Sequence, residues 1–401
     1  MEKYANPAIV VGGGSVTGLG AVRSLGRSGV KVYYVEDSKC ITQYSRYCEK
    51  YFISSKVSYS KESLKDILLN IQHRMDGSAV IFPASDFYSL YLSDLVDELK
   101  DSHLVVPSRE IIEILINKKI FYRSLLKEKI PMPATHFPDD LEDVKRIGKE
   151  ESYPVFIKPC LSHVFAQHFG GGRKGFVANS QEELVRYCEM LMKKGIEVMI
   201  QEIVTGSRTN HVFLDGYIDK NLNPKVLFAR QRLRMWPLSF GNSTLCMSIP
   251  ISRVASLKEP ILRYLKSINY HGIFSAEFKK GERDRIFKLL EINSRTSAWF
   301  NTLSAKCGCN IMLIAYLDAI GRDIEYRENY EAGIKLIFLR DDIRSAIKMF
   351  MNGDLSMREW LSSLAGKRDY TPYARDDPMP FILGVSHDIK DFGTYIRARG
   401  A

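Results

Sequence analysis

The sequence has few of the features that mark membrane, secreted or nucleic-acid-binding proteins. No apolar run approaches the roughly 20 residues that a membrane-spanning helix needs. The N-terminus lacks the successive basic, apolar and cleavage regions of a secretion signal. The seven cysteines are scattered, and Cys307-Gly308-Cys309 is the one close-spaced pair. This pattern predicts free thiols in a reducing compartment, so we expect a cytoplasmic protein.

Basic residues outnumber acidic ones, giving a net charge of +10, but they form no block with interleaved aromatic residues. Such blocks are typical of nucleic-acid-binding proteins, so we expect no nucleic-acid partner, and we expect no membrane partner. A site for phosphorylated small molecules would use part of the excess charge. The length of 401 residues predicts two or three domains, and a homo-oligomer is compatible with the sequence.

Two apolar runs flank a charged turn near residues 279–285 and predict a β-hairpin. The first run contains Glu277, and the second contains Glu291 and Asn293, which share a strand face because they are two residues apart. If the register places Glu277 opposite them, three oxygen ligands converge in a set that suits Mg²⁺ bound jointly with phosphates. A solvated acidic strand face is the alternative, and the hairpin alone does not decide between the two.

The N-terminal region predicts a small parallel α/β domain with a glycine-rich first turn. Ala8-Ile9-Val10-Val11 reads as a buried strand, and Gly12 to Gly20 leads into a helix and a second strand ending at Glu36. This turn suggests a nicotinamide oxidoreductase, with Glu36 as the ribose ligand. The spacing is imperfect because Thr17 stands where the third glycine belongs. A tight turn without a nucleotide is therefore an equal alternative.

In the middle of the chain, the sequence pattern of a lysine and a glycine-rich stretch predicts an anion-binding site. Lys158 closes an apolar strand, where a charge is costly unless an anion is nearby. Residues 161–175 follow and contain Gly170-Gly171-Gly172 together with basic side chains. We interpret this stretch as a flexible loop that closes over phosphates.

Three arginines alternate along a later predicted strand, namely Arg230, Arg232 and Arg234. Like charges on one strand face repel each other unless water or anions separate them. Solvation is one explanation of this pattern. We favour an anion-binding face, because the row ends in a loop at Met235-Trp236-Pro237, and it suggests at least one acidic substrate.

Taken in chain order, these signals resemble the ATP-grasp superfamily, specifically its carboxylate–amine ligases and their D-aspartate ligase-like branch. The resemblance covers about residues 8–325: an α/β domain, Asn117-Lys118 opening a helix, Pro-Val-Phe-Ile-Lys-Pro, a glycine-rich loop, Gln-Glu-Ile-Val, and Glu…Glu-Ile-Asn-x-Arg. It implies an α/β (α+β ATP-grasp) fold. The parts would be a Rossmann-like pre-ATP-grasp domain over residues 1–110, an ATP-grasp domain over 111–325 in two subdomains (117–200 and 201–325), and a small α/β extension over 326–401.

The resemblance also implies a role for each candidate site residue. Those contacting ATP would be Lys118, Lys158, Gly170, Gly171, Gly172, Gln201, Glu202, Ile203, Val204 and His211. Those holding two Mg²⁺ ions, or Mn²⁺, would be Glu277, Glu291 and Asn293. Those facing the acyl phosphate or the substrate carboxylate would be Arg295 and Arg232. In this family the glycine-rich first domain usually binds no dinucleotide, which favours the tight-turn interpretation.

The implied function is an ATP- and Mg²⁺-dependent ligase that joins a small-molecule carboxylate to an amine through an acyl phosphate, releasing ADP and phosphate. Such phosphoryl transfer needs charge neutralisation and alignment more than acid–base groups. Lysines, a basic loop and metal ions would supply both. A nicotinamide oxidoreductase and a non-catalytic ATP-binding protein are the alternatives.

Overall fold

The computed structural model describes residues 4–57, 60–74, 78–170 and 173–384. Within these ranges the chain is a mixed α/β protein built on three sheets, as the sequence predicts. Helices begin where the sequence supplies a capping side chain: Asn117, Asp140 and Ser180 each accept a hydrogen bond from a backbone N–H of the following turn. In the part of the chain that the structure describes, no helix is both long and apolar enough to span a membrane.

The N-terminal part of the chain forms a parallel sheet with a helix after most of its strands. The strands are β1 (Ala8–Val11), β2 (Val32–Glu36), β3 (Cys48–Ile53), β4 (Val80–Pro83) and β5 (His103–Leu104). The helices are α1 (Gly14–Gly26), α2 (Lys61–His73), α3 (Asp86–Asp94) and α4 (Arg109–Ile116). The spatial order is β3-β2-β1-β4-β5, so the loops after the adjacent strands β1 and β4 meet at one edge of the sheet.

Three elements of this region, β3, α2 and α4, are absent from the sequence prediction. β3 is an edge strand whose Glu49 and Lys50 are exposed, so it lacks the apolar run that marks a buried strand. α2 does carry a helical signal, because Leu64, Leu68 and Ile71 are buried at helical spacing behind the capping residue Ser60.

The next segment forms an antiparallel four-stranded sheet in the spatial order β6-β9-β7-β8. Its strands are β6 (Thr135–His136), β7 (Val155–Pro159), β8 (Phe176–Ala178) and β9 (Val198–Glu202). Its helices are α5 (Lys118–Lys127), α6 (Leu141–Glu150), α7 (Ser162–Phe169) and α8 (Gln181–Met192). Val144 and Leu184 from α6 and α8 share one apolar core with Val155 and Ile200 of the sheet, which fixes the direction of Lys158 at the end of β7.

The prediction of a flexible loop over residues 161–175 is wrong for its first half, because that part is α7. Phe165 is buried and packs against Phe169 one turn later, with ring centroids 4.6 Å apart, and also against Phe176 of β8. This aromatic contact offsets the poor helix propensity of the histidine-rich segment. Gly170 ends the helix at φ 76°, while Gly171 and Gly172 lie outside the described residues.

The largest sheet has seven strands in the spatial order β14-β13-β10-β11-β12-β15-β16. Its strands are β10 (His211–Ile218), β11 (Pro224–Trp236), β12 (Asn242–Ile249), β13 (Gly272–Lys280), β14 (Phe287–Asn293), β15 (Lys335–Ile337) and β16 (Arg368–Tyr370). The accompanying helices are α9 (Ala255–Ser267), α10 (Ala298–Lys306), α11 (Ile311–Ala319), α12 (Leu339–Met351) and α13 (Met357–Leu364).

Within residues 326–384, the chain extends this sheet rather than forming a sheet of its own. β15 pairs with β12, and β16 pairs with β15. A buried ion pair ties α12 to the same sheet, because Arg234 donates to both carboxylate oxygens of Asp342 at 2.8 Å. Thr244 and the Trp360 indole also donate to Asp342, so the carboxylate accepts four hydrogen bonds from three residues. The domain boundaries stay a prediction.

Replacing Asp342 by alanine should destabilise the fold strongly. The side chain of Arg234 is 5% exposed and that of Asp342 is fully buried, so the substitution leaves a buried guanidinium without its counter-ion. Loss of one partner of a buried pair costs about 3–5 kcal/mol. Equilibrium urea unfolding, followed by circular dichroism, measures the change.

The matched control is Asp341→Ala on the same helix. Asp341 pairs with Arg344, whose side chain is 54% exposed, and exposed pairs contribute about 1 kcal/mol or less. Equal losses in the two variants would contradict a special role for the buried pair.

Candidate active site

The register of the β13–β14 hairpin brings the predicted metal ligands together. Glu277 lies directly opposite Glu291, and Ser275 lies opposite Asn293. An irregularity in the pairing follows Glu277, where Phe278 pairs with Leu289 and Leu290 is left over. Directly opposed residues of an antiparallel pair point to the same face, so the two carboxylates share one side of the sheet. The convergence that the metal hypothesis requires is therefore present.

Glu277 lies in a buried cluster of charges with two residues from neighbouring strands. Its Oε1 atom is 3.0 Å from Nδ1 of His211 and 3.0 Å from Nη2 of Arg232. Arg232 also reaches the same His211 nitrogen at 3.1 Å and donates to Ser243 at 2.9 Å. Burial alone would raise the pKa of Glu277, but the nearby Arg232 and His211 outweigh it and hold the pKa below its usual range.

The two contacts of the His211 nitrogen exclude each other. A guanidinium only donates, so a nitrogen that accepts from Arg232 cannot at the same time donate to Glu277. Burial lowers the pKa of His211, with the charge of Arg232 acting in the same direction, and this favours the neutral ring. Arg232 is then the main counter-ion of Glu277.

Lys158 lines the cleft on the side opposite this carboxylate cluster, and Lys118, which is not a lining residue, lies close enough to Lys158 to repel it. Lys158 donates to Gln201 at 2.8 Å, and Lys118 donates to Ser162 at 2.7 Å. Burial lowers the pKa of Lys158 to about 8, and repulsion from Lys118 adds to the effect. Burial also lowers the pKa of Lys118, although Glu291 acts in the opposite direction. Two desolvated cations next to each other favour an anion between them.

A cleft of about 570 Å³ separates the four-stranded sheet from the seven-stranded sheet. The sequence-predicted residues that line it are Lys158, Gln201, Glu202, Ile203, Val204, His211, Arg232, Glu277 and Glu291. One wall carries the rings of Phe156 and Phe240, which stack 4.1 Å apart. The cleft therefore combines an apolar wall with basic and acidic groups, which is the usual character of a nucleotide-sized site.

Glu202 lines the cleft, but its carboxylate already has two partners. Lys288 of β14 donates to both of its oxygens at 2.6 Å and 2.8 Å, and the backbone N–H of Ala134 donates at 3.0 Å. The side chain thus braces β9 against the hairpin. The sequence does not predict Lys288 because its importance comes only from strand register.

Arg295 lies apart from the cleft, at the edge of a second space of about 450 Å³. This crevice lies at the carboxyl ends of β1 and β4, and Arg295 forms an ion pair there with Asp86 at 2.9 Å. Arg295 also donates to the Asn293 amide oxygen, and Asn293 donates to Glu291, each at 3.2 Å. A continuous hydrogen-bonded row, Glu291–Asn293–Arg295–Asp86, therefore connects the cleft to the crevice.

The prediction that the three alternating arginines form an anion-binding face is wrong. Arg230 is buried and pairs with Asp215 at 2.7 Å, and Arg234 is buried against Asp342. The strand pairing is irregular between Arg232 and Arg234, so the alternation does not continue. Of the three, Arg232 is the one that lines the cleft. The sequence cannot show these pairs because each carboxylate comes from a distant segment.

The glycine-rich turn serves packing, and Glu36 has an internal role. Its carboxylate accepts a hydrogen bond from the Gly14 N–H and another from the Tyr34 hydroxyl, both at 2.9 Å. A Cβ atom at Gly12 would lie 2.1 Å from the Tyr88 ring, and one at Gly18 would lie 2.2 Å from the Tyr34 hydroxyl. The glycines are therefore required by close contacts within the domain. The dinucleotide interpretation of this turn has no support.

No family model matches the chain. Comparison with curated proteins does find relatives of the sequence. A D-aspartate ligase from Enterococcus faecium (strain Aus0004) is 24% identical over 293 residues, covering 68% of this chain and 67% of that protein. A carbamoyl phosphate synthase large chain from Saccharolobus islandicus (strain L.S.2.15 / Lassen #1) is 25% identical over 248 residues, covering 59% of this chain. The chain spans only 22% of that larger protein.

A solved structure extends the similarity to the fold. It is the biotin carboxylase domain dimer of 2-oxoglutarate carboxylase from Hydrogenobacter thermophilus, in complex with MgADP, ADP and bicarbonate. The TM-score is 0.65 at 17% identity, covering 84% of this chain and 74% of that one. The fold class predicted from the sequence is therefore confirmed.

The buried cluster predicts a pH-dependent effect of Glu277→Gln on stability. The folded pKa of Glu277 is depressed below the unfolded value of about 4.3. Its contribution is therefore fully present above that pH and is lost as the pH falls through the folded pKa. We expect the variant to lose about 2 kcal/mol at pH 7, as is typical of hydrogen bonds to charged groups.

Urea unfolding of both proteins between pH 7 and pH 3 measures this difference. The gap between wild type and variant should shrink towards pH 3, because below about pH 4.3 Glu277 of the unfolded wild-type chain binds a proton that the folded chain does not. A gap that stays constant over the whole range would show that the carboxylate charge contributes nothing.

Proposed function

We propose that the chain is an ATP-grasp protein and, more specifically, an ATP- and Mg²⁺-dependent ligase that joins a small carboxylate to an amine. The observation that carries the proposal is the nucleotide-sized cleft in which Lys158 faces the two opposed carboxylates of Glu277 and Glu291. The D-aspartate ligase relative supports an amino acid as one of the substrates.

The nucleotide would lie between the two sheets that form the cleft. The backbone of Ile203 and Val204 follows the end of β9 and offers polar groups to the adenine edge, while Phe156 and Phe240 supply an apolar wall. Lys158 and Lys118 would meet the phosphates, whose charge offsets the cost of burying two neighbouring ammonium groups. Gly170 and the basic stretch after it would lie over the same phosphates.

The donor set of the hairpin fits Mg²⁺ shared with phosphates. Glu277, Glu291 and Asn293 provide two carboxylates and one amide oxygen, which are hard donors too few for a closed protein cage. Consistent with this, no cluster of three or more Asp, Glu, His or Cys residues that could hold a metal occurs in the described ranges. Bound Mg²⁺ would neutralise phosphate charge and orient the transferred group.

The residues of this chain would act by positioning and charge compensation. A substrate carboxylate oxygen attacks the γ-phosphorus and ADP leaves; the amine then attacks the acyl carbon, phosphate leaves, and the amine loses a proton. Arg232 is the cleft guanidinium nearest the carboxylate pair and would compensate charge on the acyl phosphate. Arg295 would do so from the crevice side, through the row that begins at Glu291.

We assign the amine substrate to the crevice beside Arg295. Asp37 and Asp86 line it, and carboxylates suit an ammonium group before it loses its proton. The Tyr88 hydroxyl also belongs to this wall; it is buried and has no hydrogen-bond partner within the part described. A bound substrate would satisfy that group.

Glu291→Ala should abolish ligase turnover while leaving the fold intact, because Glu291 is exposed and removal of its carboxylate creates no buried cavity. A coupled assay of ADP release with pooled amino acids, including D-aspartate, and small acids measures turnover. We expect a loss of at least a hundredfold, as for removal of a single electrostatic contributor in other enzymes.

The control is Glu282→Ala, an exposed glutamate in the turn of the same hairpin, which should keep full activity. Activity retained in Glu291→Ala would refute the metal assignment. ATP binding without ADP formation under every substrate pool would instead favour a non-catalytic binding protein.

The affinity for ATP–Mg²⁺ should fall as the pH rises above about 8, the pKa of Lys158 in the free protein. The protonated amine binds phosphate and the neutral amine does not, so affinity should fall by up to tenfold per pH unit. Calorimetric titration between pH 7 and pH 9.5 measures this. Lys158→Arg should flatten the profile, because guanidinium stays charged; an identical fall in both proteins would exclude Lys158 as its origin.

A further inference from the structure

A third concave surface lies between helices α1 and α10 and a later segment of the chain. It shares no lining residue with the cleft. It is a groove of about 810 Å³ between the end of α1, helix α10 and residues 366–376. Its charged lining residues are Arg27, Lys306, Arg368, Arg375, Asp369 and Asp376. None of the residues that line the groove also lines the cleft or the crevice. We refer to this surface as the basic groove.

One of the two carboxylates of the basic groove is fully occupied within the fold. Asp376 accepts two hydrogen bonds from Arg27, at 2.8 Å and 2.7 Å, and a third from the Tyr47 hydroxyl at 2.7 Å. This bidentate pair joins the C-terminal segment to α1. Asp376 therefore compensates the charge of Arg27, and both of its oxygens already accept hydrogen bonds, so it does not neutralise the other cations.

The second carboxylate compensates its neighbours only weakly. Asp369 approaches Lys306 no closer than 3.9 Å, and one of its oxygens accepts from the backbone N–H of Tyr370. Arg368 donates to the Tyr370 hydroxyl and to the carbonyl of Gly366, both neutral acceptors. Arg375 is exposed, and within the described ranges it has no hydrogen bond or ion pair.

Three cations thus line one concave surface with a single loosely held carboxylate among them. Like charges brought together in a concavity raise the local positive potential and attract anions. The arginine forks suit oxyanions with several oxygens, because each guanidinium can donate two parallel hydrogen bonds. The volume lies within the range of small-molecule pockets, about 300–1,000 Å³. Hydroxyl and amide groups of Ser24, Thr302 and Asn310 complete a polar lining.

We propose that the basic groove is a second anion site that binds a small molecule carrying two or more phosphate or carboxylate groups. Lys306, Arg368 and Arg375 bind the charged groups, and the Thr302 hydroxyl in the lining forms a hydrogen bond with the rest of the ligand. Its walls come from α1, which starts at the crevice, and from α10, which starts directly after the strand bearing Glu291 and Asn293. The ligand occupies this site independently of ATP.

Calorimetric titration of the full chain with tripolyphosphate, without Mg²⁺, tests the proposal. Wild type should bind two equivalents, one in the cleft and one in the basic groove. Arg368→Ala combined with Arg375→Ala should weaken the groove equivalent at least tenfold and retain the cleft equivalent. Both side chains are exposed, so the double variant should fold normally, which its thermal midpoint verifies.

Two further proteins separate the groove from the cleft and from net charge. Lys118→Ala combined with Lys158→Ala removes the cleft equivalent and should keep the groove equivalent, whether or not the proposed ligase function is correct. Arg186→Ala combined with Lys193→Ala removes two exposed cations from the distant helix α8 and should bind like wild type. The proposal is overturned if the Arg368 and Arg375 double variant titrates like wild type, or if the α8 variant loses the same equivalent.

Citrate and pyrophosphate in parallel titrations distinguish the two ligand chemistries. Tighter binding of pyrophosphate to the groove identifies a phosphorylated ligand, and tighter binding of citrate identifies a polycarboxylate. The titrations are repeated at 0.5 M salt. If every probe then fails to bind the groove, in wild type and in the α8 variant alike, the binding is general electrostatic attraction, which contradicts a specific site.

Discussion

The arrangement of this protein depends on one largely buried carboxylate, that of Glu277 on β13, the second strand of the seven-stranded sheet. Its charge is held by Arg232 from β11 and approached by His211 from β10, so three adjacent strands meet in a single ionic contact. A buried charge without a partner is far more costly than a slipped backbone hydrogen bond. The contact therefore fixes the register of all three strands. On the other side of β13, the separate pairing with β14 sets Glu291 opposite Glu277, and the two carboxylates share one wall of the cleft.

A row of short polar contacts leads from that wall of the cleft to the crevice. The row Glu291–Asn293–Arg295–Asp86 joins the seven-stranded sheet to the parallel sheet of the first domain. A ligase with two chemical steps needs its nucleotide and its second substrate in adjoining spaces, because the acyl phosphate must meet the amine without exchange into water. The cleft and the crevice have this relation. The Lys288–Glu202 pair stabilises the opposite side, where β9 leans on the hairpin.

Much of the site could be predicted because its signals are local. The apolar runs around Lys158, the cap at Asn117 and the two-residue spacing of Glu291 and Asn293 are each visible within a few positions. Their order along the chain resembles that of ATP-grasp ligases, and this resemblance implied the fold. Prediction failed where composition and packing disagree. Residues 162–169 look like a loop by composition, but the Phe165–Phe169 contact makes them a helix. The roles assigned to the site residues stay predictions.

The sequence by itself indicated most of the elements, the ordered motifs and several of the cleft residues, because period, capping and strand spacing act over a few residues. The tertiary structure decided which charged side chains are paired within the fold and which remain available to a ligand. Arg230, Arg234 and Glu36 look like ligand-binding groups in the sequence, yet each is used within the fold by a partner it meets only in three dimensions. Arg368 and Arg375 attract no notice in the sequence, yet they line an open groove with Lys306. For the hairpin carboxylates Glu277 and Glu291, both sequence and tertiary structure were required: the sequence pattern selects the residues, and the strand register places them opposite each other.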